Sequence, residues 1–288
     1  MMFDRLYSEF PVGDNVEIMY LFSEHENKPN LFGVHSSTAM TTILVTGANR
    51  GLGLEFVRQI LLSRPTSKII ATARNPKMFP SIQGADTSNL TILPLDLLNP
   101  ESIANFPNHL AGRSLDVVIH NAGVSSSSHP DEPIMSAMRE DMLRCFSTNV
   151  VGTLELARLL VPFLKASEHK KMLFVSSKMG SLEATEIGGQ AANEWTSSVS
   201  YRMSKAALNM SMRCLAAEIG GSMNSSGICF TAVHPGWVAT DMGSAGGRVP
   251  PLTPEQSVQS MLGKVVDVME NETHNGSFRN YDGTVLPW

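Results

Sequence analysis

From residue 42 onward, short apolar runs alternate with helical patterns, and this alternation narrows the folds open to the chain. Ile43-Leu44-Val45-Thr46 forms a buried strand, and residues 51–63 follow as a helix with Leu52, Phe56, Ile60 and Leu61 on one side. Further strands are expected at 68–72, 90–95, 115–120, 172–177, 228–233 and 277–280. Helices are expected at 100–110, 134–147, 150–166, 198–222 and 255–271. Runs this short and this apolar suit strands covered on both faces. They imply a doubly wound α/β fold with a parallel sheet in a single domain over 41–288. Residues 1–40 lack a clear period and form an N-terminal extension expected to be poorly ordered. A strand is conceivable there over 16–22.

Composition removes several classes of function. The chain has 288 residues, 42% hydrophobic and 17% charged, with a formal net charge of -5 and no basic block. Nucleic acid is therefore not expected as a partner. No apolar stretch approaches the roughly 20 residues of a membrane span, so no membrane partner is expected either. The start of the chain lacks a basic region followed by an apolar run, so no signal peptide is expected. Cys145, Cys214 and Cys229 lack metal-ligand spacing and suit buried thiols in a reducing compartment, which points to the cytoplasm. His120, His129 and His234 form no metal-like cluster, so no metal is assigned.

The first strand runs into Thr46-Gly47-Ala48-Asn49-Arg50-Gly51-Leu52-Gly53. A turn at a helix N-terminus exposes unpaired N–H groups and the positive end of the helix dipole, and glycine lets a pyrophosphate approach closely. The spacing here is G-x-x-x-G-x-G, not the G-x-G-x-x-G of the common dinucleotide fingerprint. The second strand ends in Ala71-Thr72-Ala73-Arg74, without the acid that takes the ribose 2′-hydroxyl of NAD. Arg74 and Arg50 instead suit the 2′-phosphate of NADP, which accepts charge-assisted bonds.

Tyr201 and Lys205 lie one helical turn apart and share a face. A phenol with a pKa of about 10 transfers protons poorly at neutral pH, and a neighbouring cation moves that value toward the working range. Alone, such a pair fits any surface helix; downstream of a glycine turn it suggests a nicotinamide oxidoreductase. Ser177 at a strand end is a candidate to hydrogen-bond a carbonyl oxygen, with Ser176 as its alternative on the opposite face.

In order along the chain stand the glycine turn, Asp96, Asn121-Ala122-Gly123, Asn149, Ser177, Tyr201/Lys205 and Pro235-Gly236. As a set they resemble the short-chain dehydrogenase/reductase family over about 42–288. The stretches His234-Pro235-Gly236-Trp237-Val238-Ala239-Thr240-Asp241-Met242-Gly243 and Asn280-Tyr281-Asp282-Gly283-Thr284-Val285-Leu286-Pro287-Trp288 are similar to the sniffer type of carbonyl reductase.

The resemblance implies a Rossmann-like domain that uses NADPH to reduce a small ketone or aldehyde. An endogenous alcohol, steroid or pterin as substrate, and a non-catalytic NADPH sensor, stay open. It implies Asn149, Ser177, Tyr201 and Lys205 as the catalytic set, with Asn149 supporting a water relay to the lysine. It places cofactor contacts at Gly47, Asn49, Arg50, Gly51, Leu52, Gly53, Arg74, Asp96, Leu97, Asn121, Ala122, Gly123, Tyr201, Lys205, Pro235, Gly236, Val238 and Thr240. Within that set, Asp96 and Leu97 would meet the adenine, while Pro235, Gly236 and Thr240 would border the nicotinamide. A homodimer through the helices at 150–166 and 198–222 is also implied. The 24 positions from Ser177 to Tyr201 exceed the family's usual spacing. The surplus, with Gly188, Gly189, Gln190 and Trp195, suggests a loop beside the substrate entrance.

Overall fold

Seven parallel strands carry the structure: β1 (Thr42–Val45), β2 (Lys68–Ala73), β3 (Leu90–Pro94), β4 (Val117–His120), β5 (Lys171–Val175), β6 (Cys229–His234) and β7 (Ser277–Asn280). Their spatial order is β3-β2-β1-β4-β5-β6-β7, the doubly wound arrangement that the alternation predicts. The computed structural model describes residues 40–110, 112–126, 134–185, 198–220, 227–269 and 274–288. The extension over 1–39 with its candidate strand, His129, and Gly188, Gly189, Gln190 and Trp195 lie outside the described residues.

Central strands β1, β4 and β5 are buried at every position, and apart from Thr42, His120 and Lys171 at their ends they are apolar throughout. Alternate residues feed opposite cores. Leu44, Ile70, Val118, Met172 and Phe174 meet α2 (Pro100–Asn105), α4 (Thr153–Lys165) and α5 (Val199–Leu215) on one face. Ile43, Val45, Ile69, Ile119 and Leu173 meet α1 (Gly51–Ser63) and α6 (Pro254–Met261) on the other.

Several helices differ from the expected spans, each for a local reason. The segment 100–110 is α2 followed by a 3-10 turn over Phe106–Leu110, because Pro107 has no N–H to continue the α-helical ladder. The helices expected at 134–147 and 150–166 are joined through α3 (Arg139–Phe146) and a π-turn over Ser147–Gly152. Similar π-turns follow α5 at Ala216–Gly220 and α6 at Leu262–Val266. Cys214 corrects the expectation of buried thiols: it is exposed on the outward side of α5, while Leu208, Met212 and Leu215 take the core side. Cys145 and Cys229 are buried.

Gly152 and Gly263 separate two uses of glycine in otherwise helical chain. A Cβ at Gly152 would press on the Leu97 carbonyl, whereas one at Gly263 would meet nothing within 4 Å. Gly152→Ala is therefore expected to destabilise by about 1–3 kcal/mol, and Gly263→Ala to stabilise by about 0.4–1 kcal/mol. Urea unfolding of both variants checks this; equal effects would rule out close backbone approach as the reason for Gly152.

Candidate active site

At the boundary between β1 and β4 the strand order reverses, and the cleft opens beyond the carboxyl ends of the strands. Thr46 and Asn121 hold the two strand ends together. The Thr46 hydroxyl accepts from the backbone N–H groups of Asn121 and Ala122, both at 3.0 Å. The Asn121 amide donates to the carbonyls of Thr46 (3.0 Å) and Gly47 (3.1 Å). Gly47 has φ of 63°, and a Cβ there would lie 2.8 Å from the Ala122 backbone. Both its conformation and this close approach require glycine. No side chain caps the start of α1, so the N–H groups of its first turn remain available to an anion.

The cleft, of about 910 Å³, is lined by Gly47, Asn49, Arg50, Gly51, Leu52, Arg74, Asp96, Leu97, Asn121, Ala122, Gly123, Ser177, Tyr201, Lys205, Pro235, Gly236, Val238 and Thr240. A dinucleotide fits this cradle on the open helix start and the glycine turn. Gly53 is absent from the lining. A Cβ there would meet the Gly47 carbonyl and the Asn121 amide, so this glycine packs α1 under the turn rather than facing a ligand. Arg74 is exposed on the wall. Arg50 instead pairs across the mouth with Asp241, Nη1 to Oδ2 at 3.0 Å, and both side chains are largely exposed. A pair so open to solvent contributes about 0–1 kcal/mol, so Arg50 is only loosely held from a phosphate.

Ser177, Tyr201 and Lys205 converge at the other end of the cleft. Burial pushes the Tyr201 pKa up to about 12, an effect larger than the lowering influence of Ser177 beside it. This reverses the direction expected from a lysine at helical spacing. The Lys205 ammonium stands 5.6 Å from the Tyr201 ring centre and donates to the Val175 carbonyl at 2.8 Å. Desolvation lowers its own pKa to about 8. Ser177, not Ser176, faces the tyrosine; the Ser176 hydroxyl is turned inward to the Asn209 side chain.

Asn149 lies in the π-turn, fully buried and behind the cleft wall. Its Oδ1 accepts from the Val124 N–H (2.8 Å), and its Nδ2 donates to the Val124 carbonyl (2.8 Å) and the Ser204 hydroxyl (2.9 Å). Ser204 in turn donates to the Tyr201 carbonyl at 2.7 Å. Asn149 therefore ties the strand-end loop after β4 to the helix that carries Tyr201 and Lys205.

Sequence reasoning missed Thr46, Ser204 and Cys145. Cys145 is buried within electrostatic reach of both Tyr201 and Lys205. The polar type of Thr46 and Ser204 beside recognised motif residues is the only sequence signal they carry. Also missed were Lys178, Met179, Arg202, Met242 and Arg248, which line the cleft, as Trp237 also does. Among the described residues, His120 has no hydrogen-bond partner on either ring nitrogen and stacks on Phe174 at 4.8 Å. No three His, Cys, Asp or Glu side chains gather into a metal-binding group among the described residues.

Comparison with known proteins gives the same picture. The short chain dehydrogenase family matches residues 41–248. An uncharacterized oxidoreductase of Schizosaccharomyces pombe is 30% identical over 270 residues, covering 88% of this chain and 100% of the relative. The C-signal protein of Myxococcus xanthus is 36% identical over 187 residues, covering 64% and 98%. Among solved structures, NADPH-bound carbonyl reductase from chicken fatty liver superposes with a TM-score of 0.71 at 33% identity, covering 86% of this chain and 99% of that one. Carbonyl reductase Sniffer of D. melanogaster gives 0.69 at 29% identity, covering 87% and 100%. The sniffer-like resemblance read from the sequence is thus matched by the fold, and the chain belongs to the short-chain dehydrogenase family of oxidoreductases.

Proposed function

We propose that this protein is an NADPH-dependent carbonyl reductase that converts a ketone or aldehyde to an alcohol. The observation that carries the reading is the meeting of Ser177, Tyr201 and Lys205 in one cleft that also holds the uncapped glycine turn. A bound nicotinamide would supply the hydride for the carbonyl carbon, and the site must meet the negative charge that develops on the carbonyl oxygen. Ser177 orients that oxygen, and Tyr201, kept neutral by burial, delivers the proton from its Oη. Lys205 offsets the charge left on the tyrosine. Asn149 acts as a positioning residue through Val124 and Ser204.

Tyr201→Phe is expected to remove most turnover, by roughly a hundredfold or more, while leaving NADPH affinity nearly intact. Absorbance at the nicotinamide band measures the first and calorimetry the second. Retained turnover would exclude Tyr201 as the proton donor.

The two perturbed groups also set a pH dependence. Tyr201, at about 12, stays protonated throughout the neutral range. Lys205, lowered to about 8, is a cation below that value and neutral above it. Reductive kcat/KM should therefore hold below pH 8 and decline as pH rises through it, following loss of one proton. A profile level across that point would separate the lysine charge from catalysis.

NADPH preference is assigned chiefly to Arg74, because Arg50 is shared with Asp241. One charge-assisted bond contributes about 1.5–3 kcal/mol, or at least about tenfold in affinity. Arg74→Asp should shift the NADPH/NADH ratio of kcat/KM by at least that factor toward NADH. An unchanged ratio would remove Arg74 from cofactor choice.

The assembly we propose is a homodimer through the helical segments 150–166 and 198–222, where Val151, Leu159, Met203 and Met210 are exposed. Light scattering at micromolar protein should report twice the chain mass; a monomer would refute it. A cytoplasmic location is consistent with three cysteines that form no disulfide, and cell fractionation tests it.

A further inference from the structure

Ser177 stands at the head of two linked turns. Its Oγ accepts from the Met179 N–H at 3.2 Å and caps the 3-10 turn Lys178–Gly180. Gly180 runs so close to α5 that a Cβ there would lie 2.7 Å from the carbonyl carbon of Lys205. The second turn follows over 181–185, where the Ala184 N–H donates to the Ser181 hydroxyl (3.0 Å) and the Thr185 hydroxyl to the Ser181 carbonyl (2.8 Å). Lys178 and Met179 of this segment line the cleft, as Ser177 does.

The second turn is joined to Trp288, whose main-chain oxygen accepts from the Glu183 N–H at 2.9 Å. Trp288 reaches this point because the chain folds back on itself after β7. The Gly283 N–H donates to the Asn280 carbonyl (2.9 Å), Arg279 and Val285 form an antiparallel bridge, and the Leu286 N–H donates to the Phe278 carbonyl (2.8 Å). The indole then stacks on Phe278, with ring centres 5.5 Å apart and planes inclined by 24°, and the Arg213 guanidinium of α5 lies over it at 5.4 Å. Phe278 belongs to the core, and Arg213 donates to the Gly276 carbonyl at 2.9 Å, so both groups that receive the indole are themselves fixed.

We infer that Trp288 is a positioning residue for carbonyl reduction, seating the 181–185 turn and through it the Ser177 hydroxyl. The inference rests on the reductase reading above and adds a residue that acts through the chain, since Trp288 is not part of the cleft lining. One backbone hydrogen bond at a turn competes with water and does not fix a chain by itself. An indole held by stacking and by a cation does, because it confines the main chain that carries the acceptor. The Ser177 hydroxyl is tied to the same segment through Met179. A shift of about 1 Å in a group that orients substrate lowers turnover by up to about a hundredfold. The glycine turn and Arg74 follow the more distant strands β1 and β2, so cofactor affinity should not change with it.

The test compares W288A with W288F in the full chain, using NADPH and 4-nitrobenzaldehyde. W288A is expected to lower kcat/KM for the aldehyde by at least about tenfold while leaving KM for NADPH within about twofold, and W288F to recover most of the loss because its ring still stacks. Hydrogen exchange in W288A should quicken over 178–185 and stay unchanged in β1 and β4. If W288A does not fold, W288L, which keeps apolar cover on Phe278 without a ring to stack, takes its place with the same expectations. An unchanged kcat/KM for the aldehyde, or equal losses toward aldehyde and NADPH, would overturn the inference while leaving the reductase reading standing. If the unaltered chain does not reduce the aldehyde, that result counts against the reductase reading, and exchange alone decides the anchoring. Quickening confined to 178–185 upholds it, and uniform or unchanged exchange overturns it.

Discussion

Every part of the site is referred to the junction between Thr46 and Asn121. Parallel strands that part at a switch point leave backbone groups without ladder partners, and such groups need replacements when buried. The Thr46 hydroxyl takes two N–H groups from the chain after β4, and the Asn121 amide takes two carbonyls from the chain after β1. This cross-linking brings Gly47 so close to Ala122 that no side chain fits there. It also sets where α1 begins, and so where its open N–H groups point. The opposite wall is tied to the same loop through Asn149, which binds Val124 on one side and Ser204 on the other.

The chemistry of Tyr201 and Lys205 depends on their removal from water. Lysine at a helical spacing from tyrosine predicts a lowered phenol pKa, yet the phenol here is raised, because burial outweighs the lowering influence of Ser177 and the ammonium stands 5.6 Å from the ring. A reductase benefits from this. Its tyrosine must start protonated, and the cation matters when the proton departs and charge appears on the phenol oxygen. Lys205 is desolvated too, with one backbone carbonyl as its hydrogen-bond acceptor, which brings its own titration toward neutrality. Environment, not the pair alone, assigns the two roles.

The inner strands were legible because burial on both faces demands apolar runs, whereas β7, Ser-Phe-Arg-Asn with one buried residue, matches its expected span without such a run. A helix interruption is written in the sequence where a residue enforces it, as Pro107 does after α2, yet the helix expected over 100–110 ran through it. The π-turn at Ser147–Gly152 was not legible, since it changes hydrogen-bond register without a compositional sign. In the site, motif spacing located the residues that face the cleft but carried no information on depth. Gly53 and Asn149 belong to the same motifs yet act from beneath the surface. Cys214 shows the same limit on a helix, where an apolar residue type turned outward. Lys178 and Arg202 adjoin the recognised Ser177 and Tyr201, but only the fold reveals that both line one cleft.

The Arg50–Asp241 bridge connects these observations to ligand entry. It spans from the glycine turn to the segment after β6, the two sides between which a dinucleotide must lie. A buried pair there would oppose entry by several kcal/mol, whereas this one is solvated and holds by about 1 kcal/mol or less. An incoming phosphate can therefore take Arg50 with little loss, and Asp241 is then left in water, where its charge needs no partner. The same arginine thus bridges the two sides of the mouth and can attract an anionic cofactor, and only its exposure makes the two compatible.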